Sequence, residues 1–180
     1  MRTFRRELCP ARLCGSLRLL RLIGADTCIS CLLQSPINNR LKVRAVGGKH
    51  YIRVVPVVLH IDNSEDEIFF FRRAFDKGSL AWSLESLEGG QEALEYLEDA
   101  QGGREQKPGL VLVDLKMPIV DGFRVLEWLQ AQMPEVPAAV VSSSELKADK
   151  ERARDLGAVA YFRKEQNFEV VLGYIRGLAA

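Results

Sequence analysis

The sequence predicts an α/β domain: a five-stranded parallel sheet of order 2-1-3-4-5, doubly wound with five helices and preceded by a basic N-terminal extension. Three observations carry this expectation. Short apolar runs alternate with segments of helical period from Pro56 onward. The run Leu110-Val111-Leu112-Val113 is apolar at every position, as a strand covered on both faces must be, and it ends on a carboxylate, Asp114. Residues 56–180 suffice for five strand–helix units, and right-handed crossovers leave few ways to order them.

The elements follow in order. Val57–Ile61 is β-branched and apolar, a buried strand. Asp66–Lys77 is a helix whose Phe70, Phe71, Ala74 and Phe75 are expected to share a core face, with Gly78 as its stop. Leu80–Leu87 alternates roughly and reads as a half-exposed strand. Gly90–Asp99 is a helix with Ala93, Leu94 and Leu97 on one side, and a polar loop over 100–108 leads to the strand ending at Asp114. Asp121 opens a third helix, Gly122–Gln132. Val136–Val141 is a strand running into Ser142-Ser143-Ser144, and Lys147–Leu156 is a charged helix stopped by Gly157. Val159–Arg163 is the fifth strand, followed directly by Lys164, and Phe168–Leu178 is the last helix.

Charge divides the chain in two. Residues 1–55 carry eleven Lys/Arg against Glu7 and Asp26, whereas residues 56–180 carry fourteen against twenty-two acids. Such asymmetry marks an extension and a domain, with the boundary expected at 55/56. The extension reads as poorly structured or as lying upstream of the true start, and residues 45–50 read as a flexible joint. All four cysteines (Cys9, Cys14, Cys28, Cys31) fall in it. A four-thiolate zinc site is weighed against unpaired thiols, and the spacing favours the latter. A cysteine-free domain fits a reducing cytosol, and no apolar run is long enough to span a membrane. Basic charge without a motif or aromatic platform does not point to nucleic acid.

In this topology strands one, three, four and five end side by side, which gathers Asp62, Asn63, Asp114, Ser142 and Lys164. An acid at a strand end can also cap the next helix, but Asp121 already fills that role. An oxygen-rich cluster suits Mg²⁺, which keeps several waters. A metal, an ammonium and a hydroxyl together can hold the oxygens of a transferring phosphoryl group, with a carboxylate as the nucleophile. The cluster reads as a phosphoryl acceptor with Asp114 as the attacking group.

Residues 56–180 resemble the receiver domains of two-component response regulators, the CheY-like family with its flavodoxin-like topology. The matching stretches are Val58-Leu59-His60-Ile61-Asp62-Asn63-Ser64-Glu65-Asp66-Glu67, Val113-Asp114-Leu115-Lys116-Met117-Pro118 with Asp121-Gly122, Val141-Ser142-Ser143, and Tyr161-Phe162-Arg163-Lys164. The resemblance is to small stand-alone receivers, including partners of phytochrome-type kinases. It implies that Asp114 is the phosphoacceptor and that Asp62 holds Mg²⁺ through water, with Asn63 and the Lys116 backbone carbonyl as further ligands. Ser142 would bind a phosphoryl oxygen, Ser143 would fill a position that must be small, Tyr161 would turn inward as Ser142 moves, and Lys164 would neutralise the phosphoryl group. Phe69, almost opposite the apolar face of its helix, would contact a histidine kinase or phosphotransfer partner. The fourth and fifth helix face would serve a downstream protein target or a homodimer. The domain would catalyse only its own phosphorylation and dephosphorylation.

Two positions depart from that family. Asn63 stands where a second acid is usual, which predicts weaker Mg²⁺ binding, and Glu165 stands where proline usually follows the lysine, which disfavours a cis bond there. These departures keep a second reading open, a pseudo-receiver that never carries phosphate. A flavodoxin-like redox protein is set aside because Asp62-Asn63-Ser64-Glu65-Asp66 would repel a flavin phosphate. His60 is expected to be a buried, hydrogen-bonded core residue, and Trp82 and Trp128 to be packing residues.

Overall fold

The computed structural model describes residues 41–46, 49–164 and 168–178, with side chains from Val55 onward. The cysteines and Glu165 lie outside the described residues. Strands β1 (Leu41–Val46) and β2 (Lys49–Val54) pair antiparallel, with Val46 opposite Lys49. Residues 45, 46, 49 and 50 of the segment read as a flexible joint are therefore strand.

The remaining strands, β3 (Val57–Ile61), β4 (Ser83–Leu87), β5 (Leu110–Val113), β6 (Ala138–Ser142) and β7 (Ala160–Arg163), form one parallel sheet. Its spatial order is β4-β3-β5-β6-β7, the 2-1-3-4-5 order expected. Five helices cover it: α1 (Glu65–Lys77), α2 (Gly90–Gln101), α3 (Gly122–Gln132), α4 (Lys147–Asp155) and α5 (Phe168–Leu178). The core divides by strand alternation. Leu59, Ile61, Val111 and Val113 face α2 and α3, while Val58, Leu110, Leu112, Ala139 and Val141 pack on Phe71 and Phe75 of α1 and on Val171, Leu172 and Ile175 of α5.

Proline sets two strand starts later or sharper than periodicity suggests. Strand β4 begins at Ser83, not Leu80, because its first rung is Ser83 N–H to Pro56 O (2.9 Å) and nothing precedes Pro56 in that ladder. Strand β6 begins at Ala138, because Pro137 has no N–H and Val136 N–H turns back to Met133 O (2.9 Å). Helix α1 begins at Glu65 with Ser64 as N-cap, its Oγ accepting from Glu67 N–H at 3.4 Å.

Phe70 is not a core residue. At about 100° per residue, Phe71 and Phe75 lie close together on the buried face, and Phe70 stands a full step to the side. It is 54 % exposed, and its ring meets that of Phe69 edge-on at 5.5 Å. His60 is buried as expected but not hydrogen-bonded through Nδ1, which has no partner; its ring lies 4.4 Å from that of Phe71. Trp82 is half-buried against the α1–α5 side of the core, its Nε1 without a partner, and Trp128 packs on the opposite cluster.

Candidate functional site

The sheet order reverses between β3 and β5, so the connections after these strands diverge and leave a crevice at their carboxyl ends. Asp62 stands one residue beyond β3 and Asp114 one beyond β5, both buried. Backbone bonds hold the two strand tips in register: Asp114 N–H donates to Ile61 O (2.9 Å) and Asp62 N–H to Leu87 O (3.1 Å). Asp62 Oδ1 accepts from Ser64 N–H (3.0 Å), which ties the carboxylate to the start of α1.

Lys164 arrives from β7, its N–H bonded to Ser142 O (3.1 Å). Its ammonium bridges the two acids, with Nζ 2.6 Å from Asp62 Oδ2 and 2.9 Å from Asp114 Oδ2. Burial pulls the Lys164 pKa down, but the hydrogen bonds to Asp62 and Asp114 outweigh it and leave the ammonium above its ordinary value. Without Lys164 the site would hold two desolvated like charges.

The turn after β5 keeps Asp114 at the crevice. Lys116 N–H donates to Asp114 Oδ1 (3.3 Å), and the Lys116 side chain is exposed. Gly122 N–H donates to Leu115 O (3.1 Å), and a Cβ at Gly122 would lie 2.0 Å from Asp114 O, so only glycine permits this approach. Asp121 caps α3, accepting from Arg124 N–H at 2.9 Å. Ile119 in the same turn has φ +67° and is 98 % exposed, a strained conformation for a β-branched residue that periodicity does not reveal.

Ser142 is fully buried, and its Oγ accepts from Ser144 N–H at 3.4 Å. Ser143 is exposed. The Tyr161 hydroxyl donates to Ser144 O (2.9 Å); burial pushes its pKa up, against hydrogen bonding to Ser142 and Ser144. Asn63, next to Asp62 in the chain, is exposed, and Phe69 is 59 % exposed on α1. The structure thus brings Asp62, Asp114 and Lys164 into direct contact and links Ser142 to Tyr161 through Ser144. Two contributors went unread. Glu67, on the first turn of α1, has its pKa raised by burial, with Lys164 opposing and Asp62 and Asp114 reinforcing. Ser144, within the serine run, is buried at the centre of the loop hydrogen bonds.

The donor set fits a hard cation sparingly. Among the described residues no three His, Cys, Asp or Glu side chains cluster as a ligand group. Two buried carboxylates, an adjacent amide and backbone carbonyl oxygen nevertheless match Mg²⁺, an oxygen-seeking ion that completes its shell with water.

A doubly wound domain of order 2-1-3-4-5 with two acids and a lysine at its switch point is a CheY-like receiver arrangement. A profile of the response regulator receiver domain matches residues 58–176. The chain is 30 % identical over 115 residues to a protein described as a probable methanogenesis regulatory protein, FilR2, of Methanothrix harundinacea, covering 63 % of this chain and 74 % of that one. It is 36 % identical over 70 residues to the polar-differentiation response regulator DivK of Brucella anthropi; the match spans 38 % of this chain and just 57 % of DivK. Among solved structures, the bacteriophytochrome response regulator AtBRR superposes with a TM-score of 0.58 at 27 % identity, over 68 % of this chain and 93 % of AtBRR. The chain belongs to the response regulator receiver domain family.

Proposed function

We propose that the domain accepts a phosphoryl group on Asp114 from a histidine kinase or phosphotransfer protein, and that the modified surface is read by a downstream protein. The observation that supports this most is the Lys164 ammonium held between Asp62 and Asp114 at the strand ends. A carboxylate oxygen of Asp114 attacks phosphorus; the bond from phosphorus to the donor imidazole breaks, and its electron pair remains on nitrogen. Lys164 exchanges one carboxylate oxygen for a phosphoryl oxygen, and the Ser142 hydroxyl donates to another. Asp62, Asn63, Asp114 and the Lys116 carbonyl would hold Mg²⁺, whose contribution is to offset charge on the transferring oxygens. The domain is a regulatory phosphoacceptor whose only catalysis is its own phosphorylation and dephosphorylation.

The exposed Phe69–Phe70 pair supplies an apolar surface for the donor protein. Val159 and Val170, both about half exposed, lie on the β7–α5 side, where α4 and α5 would meet a target or a second copy. The likeness to a bacteriophytochrome regulator supports a phytochrome-type kinase as the donor. We take residues 56–180 as the receiver, residues 1–55 as a separate basic extension, and the cytoplasm as its compartment; no described helix is long and apolar enough to cross a membrane.

Intact mass after incubation with acetyl phosphate and Mg²⁺ tests the proposal. One added phosphoryl group in the parent chain and none in Asp114→Asn is the expected outcome. An unchanged parent mass would favour the pseudo-receiver reading, to which the amide at Asn63 lends weight.

A further inference from the structure

Beyond the end of β6 lies a second hydrogen-bond network, which meets the phosphoryl site at Ser142. Its centre is Ser144, 2 % exposed. The Ser144 hydroxyl donates to Asp149 Oδ2 on the first turn of α4 and accepts from Leu146 N–H at 3.4 Å. Its N–H donates to Ser142 Oγ at 3.4 Å, and its carbonyl accepts from the Tyr161 hydroxyl at 2.9 Å. One residue thus joins the buried hydroxyl at the crevice, the start of α4 and the aromatic on β7. Leu146, the cap residue of α4, offers no side-chain acceptor, and the Ser144–Asp149 bond adds a side-chain tie from the loop to the helix.

These contacts differ in strength. A hydroxyl has one proton; given to a carboxylate it makes a charge-assisted bond and fixes the rotamer. The bond from Ser144 N–H to Ser142 Oγ is neutral and long. A pull on Ser142 breaks the weak bond first and leaves the strong one in place.

We propose that Ser144 and Asp149 form a latch that aims the Ser144 carbonyl at the Tyr161 hydroxyl, holding the tyrosine against the β6–α4 loop before any phosphoryl group arrives. Both are positioning residues, and the inference rests on the reading of Ser142 as the hydroxyl that senses the phosphoryl group. With the latch open, the carbonyl is free to turn, and Tyr161 loses its bond to the Ser144 carbonyl while its hydrogen bonding to Ser142 remains. Lys150, 5.6 Å from the Tyr161 ring centroid, faces the same ring from α4.

The test uses the full chain with isotope-labelled tyrosine rings, the Tyr161 signal being assigned by its loss in Tyr161→Phe. In Ser144→Ala and in Asp149→Ala, the Tyr161 ring signal is expected to shift, while Tyr96 and Tyr174 hold their positions. Ser144→Thr, which keeps the hydroxyl, is expected to restore the parent signal. Should Ser144→Ala fail to fold, Asp149→Ala decides alone, since its side chain is partly exposed. An unmoved Tyr161 signal in the folded variants overturns the latch, as does movement of all tyrosine signals together. The readings are made without phosphate. A parent chain that takes no phosphoryl group from acetyl phosphate therefore sinks the functional reading and not the latch.

Discussion

Replacing Lys164 with methionine keeps most of the side-chain volume and removes the charge between Asp62 and Asp114. The side chains of the two acids are 1 % and 6 % exposed, and that of the lysine 13 %. Breaking a buried ion pair by deleting one partner costs about 3–5 kcal/mol, because the remaining charge is desolvated without compensation. Some water reaches Asp114 and Lys164, so the low end applies, about 3 kcal/mol. With a urea slope of about 1–3 kcal/mol/M, the unfolding midpoint falls by roughly 1–3 M. A double-mutant cycle isolates the cause. In the Lys164→Met background, Asp62→Asn removes one of the two opposed charges and is expected to recover stability, although in the parent it breaks the bridge and destabilises. Added Mg²⁺ is expected to recover part of the loss in the single variant. A Lys164→Met cost below about 1 kcal/mol, the range of an exposed pair, would refute the reasoning. So would a cycle additive within about 0.5 kcal/mol.

Four further outcomes follow. Gly122→Ala places a methyl against Asp114 O and is expected to cost about 1–3 kcal/mol as overpacking and to slow acetyl-phosphate loading, read by denaturation and intact mass. His60 has its pKa lowered to about 3, by burial first and Lys164 second. The unfolded chain therefore takes up a proton that the native state refuses, and stability present above pH 6.5 is lost as pH falls toward the native value. At about 1.4 kcal/mol per pH unit, His60 accounts for about 2 kcal/mol lost between pH 6.5 and 5, and His60→Phe is expected to flatten that part of the urea-midpoint profile. Asn63→Asp adds a carboxylate beside Asp62 and is expected to tighten Mg²⁺ in a titration; unchanged affinity counts against Asn63 as a ligand position. Phe69→Ala, at an exposed site, is expected to slow transfer from a phosphorylated donor protein while leaving the urea midpoint within about 0.5 kcal/mol of the parent.

The parts legible in the sequence were those set by strong local pattern. Strand β5 is apolar at every position and could only be a covered strand, and Asp114 at its end follows from counting. Asp62 and Lys164 were legible for the same reason, each standing directly after its strand. Phe70 was misread because a helical face has a width that periodicity does not measure, and the sheet accepts only Phe71 and Phe75. His60 was expected to find a partner, since buried polar groups nearly always do; its Nδ1 has none, and its ring instead packs beside that of Phe71. The pairing of residues 41–46 with 49–54 was hidden by composition, since basic residues interrupt both apolar runs. Ser144 was lost among three consecutive serines, because only the path of the chain distinguishes the buried one from its exposed neighbour Ser143.

Asp62, Asp114 and Lys164 stand some fifty residues apart along the chain, the last pair by 50, and each is delivered by a different strand. No fragment that lacks either half of the sheet can assemble them. The phosphoryl chemistry proposed for this spot would therefore report completed folding: a nascent chain short of its last strand is expected to be silent, and reactivity to return in one step when that strand joins.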